Sequence, residues 1–107
     1  MKLAVKNIFD NVSQAAGAKE EFSTLFGSSA VKIERIVSHR NSSPPGFWYD
    51  QDDDEWVIVL RGGATLEFEG EEFVEMNTGD YLEIPSHVKH RVARTGDGTI
   101  WLAVHVK

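Results

Sequence analysis

Two side chains in this sequence stand where their surroundings give them chemistry. Glu55 opens an apolar run, Trp56-Val57-Ile58-Val59-Leu60, and Gly62 closes it. His90 comes after Gly79 and Pro85. An imidazole on a strand is a common metal ligand. A carboxylate turned into a barrel is a site-facing group, because an unpaired buried charge is costly. Tyr49 and Gln51 lie just upstream. Gln51 offers an amide oxygen to a metal or a hydrogen bond to a ligand, and Tyr49 offers a hydroxyl or a phenolate. The plainer reading of both is a polar pocket lining. Arg35 and His39 share one strand face with Val31, Ile33 and Val37. If that face is the interior, both are buried polar groups in need of partners. Trp48 and Phe47 can line a mouth for an apolar or ring-shaped ligand, or pack beneath a loop. His87 reads as a pocket rim, and His105, alternating with Trp101 and Ala103, as structural.

The run Asp50, Asp52, Asp53, Asp54 lacks the glycine and distal glutamate of an EF-hand, so it reads as a solvated loop at the barrel mouth. There is no cysteine, which removes thiol nucleophiles, thiolate zinc sites and disulfides. No serine stands in a G-x-S-x-G elbow, and no glycine-rich phosphate loop is present.

The elements that must position these groups are short strands. From Val31 onward the apolar period is two. Strands are expected over 31–39, 47–51, 55–61, 64–69, 71–76, 81–84, 88–93 and 99–106, with glycine or Asn-Thr-Gly-Asp at the turns. Eight or nine such strands predict an antiparallel sandwich or closed barrel. If Glu55 points inward, alternation sends Val57, Val59 and Arg61 inward and Trp56, Ile58 and Leu60 outward. Before the barrel, Phe22, Leu25 and Phe26 fall at i, i+3 and i+4 behind Glu20 and Glu21. That spacing predicts one short helix between residues 19 and 27, stopped by Gly27-Ser28-Ser29.

With 107 residues the chain reads as a single domain, an N-terminal extension over 1–30 and a barrel over 31–106. Eleven Lys and Arg against seventeen Asp and Glu leave a net charge of −6, which argues against nucleic acid or an anionic membrane as partner. No apolar run approaches a membrane span or the core of a signal peptide, so a cytoplasmic location is expected.

Glu55-x6-Gly62, Gly79-x5-Pro85 and His90 resemble the two motifs of the cupin superfamily, G-x5-H-x-H-x3,4-E-x6-G and G-x5-P-x-G-x2-H-x3-N. The resemblance runs from about Val31 to Val106. Tyr49-x-Gln51 with Glu55, after Pro-Pro-Gly-Phe-Trp, is similar to a group of small single-domain bacterial cupins of unassigned function. It implies an all-β antiparallel jelly-roll barrel and a divalent transition metal, Fe, Mn, Ni or Zn, held by Glu55 and His90 with help from Gln51. Tyr49 and Gln51 stand where cupins usually carry two histidines, His87 replaces a glycine and Arg94 an asparagine. His39 is a candidate replacement ligand, and Tyr49, Gln51, His39, Trp48 and Arg35 are candidate pocket residues.

Two functions from different classes are open to such a chain. One is a metal-dependent enzyme acting on a small molecule. The other is a non-catalytic small-molecule binder with a degenerate metal site. A subunit scaffold with a vestigial site is the third reading. The outward row Trp56, Ile58 and Leu60 also predicts a homodimer, since each side chain gains ~1.5–3 kcal/mol from burial and the N-terminal residues Ile8, Phe9, Phe22, Leu25 and Phe26 are too few to cover it.

Overall fold

The computed structural model describes residues 3–12, 19–70 and 73–107. Eight strands form among them: β1 Glu21–Gly27, β2 Val31–His39, β3 Asp54–Arg61, β4 Gly63–Phe68, β5 Phe73–Asn77, β6 Tyr81–Ile84, β7 His90–Thr95 and β8 Asp97–Val106. They make a five-stranded sheet, β1-β2-β8-β3-β6, and a three-stranded sheet, β5-β4-β7. All pairings are antiparallel.

The register defines the inner face. His105 lies opposite both Lys32 and Glu55, Ala103 opposite Glu34 and Val57, and Trp101 opposite Ile36 and Val59. Residues directly opposite share a face. The core joins Val57, Val59, Trp101 and Ala103 of the large sheet to Ala64, Leu66 and Met76 of the small one. The inner face of β2 is therefore Lys32, Glu34, Ile36 and Ser38, and not the face that carries Arg35.

The chain passes between sheets at two glycine corners that share one anchor. Thr99 Oγ1 lies 3.0 Å from the carbonyl oxygens of Gly63 and Gly96 and accepts from the Gly63 N–H at 3.3 Å. Gly62, at φ 85°, packs against the same threonine. A register shift falls between Val59 and Arg61 at this corner. It ends the alternation, so Arg61 does not point inward as expected. Its guanidinium sits 4.5 Å from the centre of the Phe9 ring, a cation–π contact with the N-terminal segment.

The helix expected over 19–27 is a strand, and no helix forms among the described residues. β1 pairs with β2 from Glu21↔Val37 to Gly27↔Lys32, with a shift between Thr24 and Phe26. A bulge inserts one residue and turns the later residues of the strand to the other face. Phe22 opposes the inner-face Ile36, whereas Phe26 opposes the outer-face Ile33. The i, i+3, i+4 spacing thus spans both faces of a bulged strand. Pairing to the open edge of β2 decides the conformation, a tertiary effect that overrides a short local pattern.

Candidate functional site

The segment from Ser43 to Gln51 runs beside β7 and brings its side chains to one end of the barrel. Ser43 and Val92 exchange two hydrogen bonds, Ser43 N–H to Val92 O at 2.8 Å and Val92 N–H to Ser43 Oγ at 3.0 Å. Tyr49 and His90 form a bridge, 2.7 and 3.1 Å. His87 N–H donates to Gln51 O at 2.8 Å. These bonds seat Tyr49 and Gln51 over an internal cavity of about 120 Å³, which Glu55 and His90 also line. Val57, Leu66, Ile84, Val92, Phe22 and Trp101 make up most of the apolar part of its lining.

His90 is held on every side. Its ring stacks on Tyr49, centroids 5.4 Å apart, and lies 5.9 Å from Phe68. Its Nδ1 is 2.9 Å from Val88 O. A carbonyl only accepts, so Nδ1 carries a hydrogen; in the neutral ring Nε2 is then an acceptor. Nε2 faces Glu55 Oε1 at 3.7 Å, too far for a hydrogen bond. That oxygen is buried and has no hydrogen-bond partner. Glu55 keeps 9% of its surface exposed. Burial raises its pKa above the ordinary carboxylate value; His105 and His90 oppose the rise and Glu34 adds to it. Tyr49 is raised above 10.0 by burial, then by Glu20, Glu55 and Glu34, so at neutral pH it is a phenol and not a phenolate.

Three groups that the sequence did not single out for the site line the same cavity: Glu20, Glu34 and His105, the last expected to be only structural. His105 Nε2 stands 3.5 Å from Glu34 Oε1, and Lys32 Nζ 3.2 Å from Glu34 Oε2. Ser38 Oγ donates to Glu20 Oε2 at 2.6 Å and accepts from Trp101 Nε1–H at 3.1 Å. The signal for Glu34 and His105 was in the alternation. Both continue rows of inward residues, and a polar group on such a row is buried with a role or a partner.

The remaining candidates lie elsewhere. Arg35 is on the outer face, where its Nη1 donates to Ile8 O at 3.1 Å and to Asp10 O at 2.6 Å. His39 is buried, but its Nε2 lies 2.9 Å from Glu21 Oε2, and it does not line the cavity. Trp48 is half-buried and is not among the lining residues. Among the described residues no three His, Cys, Asp or Glu side chains converge as a metal site.

The acidic run ties two loops together at the mouth. His87 Nδ1 is 2.8 Å from Asp50 and its Nε2 3.3 Å from Asp52. Asp54 accepts from Ser86 N–H at 2.8 Å. The His87 pKa is raised above 6.5, chiefly by the hydrogen bond to Asp50. This tie is complete below the ordinary histidine pKa and fades as pH rises through the raised one. An NMR titration should find His87 above its ordinary value in the wild type and lowered in Asp50→Asn. Equal values in both proteins would show that Asp50 does not hold it.

Comparison with known proteins now places the chain. The family model of the cupin domain matches residues 37–105. The chain belongs to the cupin family. A protein of Ralstonia eutropha JMP134, provisionally named a mannose-6-phosphate isomerase, is 45% identical over 98% of this chain and 99% of its own, with a TM-score of 0.91. A cupin superfamily protein of Desulfitobacterium hafniense DCB-2 is 15% identical over 99% of this chain and 93% of its own, TM-score 0.80. An RmlC-like cupin of Methanocaldococcus jannaschii is 20% identical over 99% and 92%, TM-score 0.75. At those identities the last two speak for the fold alone. No curated protein matches the sequence.

Proposed function

We propose that this cupin binds a small organic molecule inside the barrel, seated on Glu55 and His90, with no metal ion holding it. The observation behind this reading is the unpartnered Glu55 Oε1 facing the Nε2 lone pair of His90 across 3.7 Å. Two acceptors so placed want a donor between them. A ligand O–H or N–H can donate to either of them, while the apolar part of the lining takes its carbon body. Glu55 and His90 are also the groups of this pair that can exchange a proton with a bound molecule.

The metal implied by the motif resemblance does not fit the donor set. The facing pair supplies one carboxylate and one imidazole, whereas sites for Fe, Mn, Ni or Zn take three or more strong protein donors. Gln51 adds only a weak amide oxygen, Tyr49 is held as a phenol, and His39 belongs to Glu21. His105 is engaged with Glu34 and Ser38 with Glu20, and among the described residues no three His, Cys, Asp or Glu side chains converge on one point. Protein exposed to zinc or ferrous ion and then desalted should retain far less than one ion per chain. One ion per chain, lost in His90→Ala, would reverse this part of the reading.

Isomerisation of mannose 6-phosphate, the reaction in the name of the Ralstonia relative, does not carry over to this pocket. Among the described residues the lining holds Glu20, Glu34 and Glu55 and no Lys or Arg, which gives a phosphate no cationic seat there. A cavity of about 120 Å³ also falls below the ~300 Å³ at which sites for larger ligands begin.

The homodimer remains part of the proposal. Trp56, Ile58 and Leu60 are half-buried within the single chain, and Leu3, Val5, Phe22, Leu25 and Phe26 are exposed. Sedimentation at micromolar concentration should give twice the chain mass. A monomer that stays in solution at that concentration would end the idea.

A further inference from the structure

We propose that the ligand of this pocket is a small organic cation, an ammonium group on a compact apolar body. The inference rests on the binding reading above and names the ligand's charge. Three carboxylates line one cavity, and no Lys or Arg lines it with them. Glu34 has Lys32 at 3.2 Å, outside the lining, and His105, within it, at 3.5 Å. Glu20 receives only a hydroxyl, that of Ser38. Glu55 has no hydrogen-bond partner on Oε1, although the atom is buried. His90 presents a lone pair, so it too waits for a donor and supplies none.

An anion placed here meets three carboxylates and an acceptor nitrogen. A neutral alcohol offers one hydrogen to two acceptors. An ammonium offers two or three, and its charge strengthens each bond. Trp101, Phe22 and Tyr49 line the same space, and aromatic rings are partners that cations prefer. The volume of about 120 Å³ sets the size of the body. A compact branched body such as an isobutyl group suits a pocket below the ~300 Å³ of sites for larger ligands.

The test uses three compounds of one shape: isobutylamine, isobutanol and isobutyrate, titrated into the full chain near neutral pH and followed by NMR at His90 and Trp101. The expected order is amine, alcohol, carboxylate, with the amine about tenfold tighter than the alcohol, the step that a charge-assisted hydrogen bond provides. Glu55→Gln should bring amine and alcohol within about twofold of each other. Should that variant not fold, Glu20→Gln should narrow the same gap. Alcohol bound as tightly as amine in the wild type, or a preference unchanged in both variants, overturns the cation assignment and leaves the binding pocket intact. If none of the three shifts His90 or Trp101, the pocket reading falls, and the cation with it.

Discussion

Glu55→Gln is expected to be more stable than the wild type at neutral pH, by about 1–2 kcal/mol, the cost of a buried polar group without a partner. In a domain of this size that raises Tm by several degrees. Burial lifts the folded-state pKa of Glu55 above its ordinary 4.5, so the folded chain holds that proton more tightly than the unfolded chain does. The penalty for ionising it is absent below the unfolded pKa. It grows as pH rises through the raised folded pKa and is complete above it. The gain in Glu55→Gln should therefore shrink toward zero on acidification below about 4.5. An amide is also uncharged and can donate to the lone pair of His90. Removing a functional carboxylate commonly trades activity for stability, and ligand binding should weaken in the same variant. Thermal denaturation across pH gives the answer. A variant less stable than the wild type at pH 7 would mean that the Glu55 charge is well paired and that its orphan oxygen has been misread.

Gly62→Ala is expected to lose roughly 2–4 kcal/mol, the sum of a left-handed backbone cost and a steric clash. Gly62 sits at φ 85°, and a Cβ there would stand 2.5 Å from Thr99 Oγ1 and 3.0 Å from Thr99 Cα. The hydroxyl cannot swing away without cost, because it anchors Gly63 and Gly96 at the two corners. A loss of that size is a large share of the ~5–15 kcal/mol that holds a typical domain together. Gly79→Ala also meets a positive φ, 90°, but its Cβ would touch nothing, so it should cost only the backbone share, about 1–2 kcal/mol. Urea denaturation of the two variants separates the terms. Equal losses would show that the Thr99 contact yields freely.

The strand alternation of Glu55, Val57 and Val59 was legible in the sequence, because one inward face in a barrel forces period two. The same rule failed at Arg61, where the bulge and the Gly62 corner break the period. It also left open which face of β2 is interior. The apolar pattern favours Val31-Ile33-Arg35-Val37, and the more polar Lys32-Glu34-Ile36-Ser38 is identified as the inner face only by the residues β8 places beside it. That ambiguity hid Glu34, and with it the partner of His105. It also kept Arg35 and His39 among the candidates. β1 was misread for a related reason: seven residues carry too little local information to outweigh an open sheet edge. The carboxylate-rich character of the pocket was equally invisible, because Glu20, Glu34 and Glu55 come from three separate segments that only the register brings together.

The claim on which the rest depends is that Glu55 and His90 face one another as the seat of an organic ligand. Long-range proton–nitrogen NMR of the histidine rings reads it directly. In the free protein His90 should carry a hydrogen on Nδ1, the atom that faces Val88 O. On adding isobutylamine its Nε2 signal should move as the binding site fills, and in Glu55→Gln that response should weaken severalfold. The opposite tautomer, or an Nε2 signal that stays fixed at saturating amine, would contradict the account.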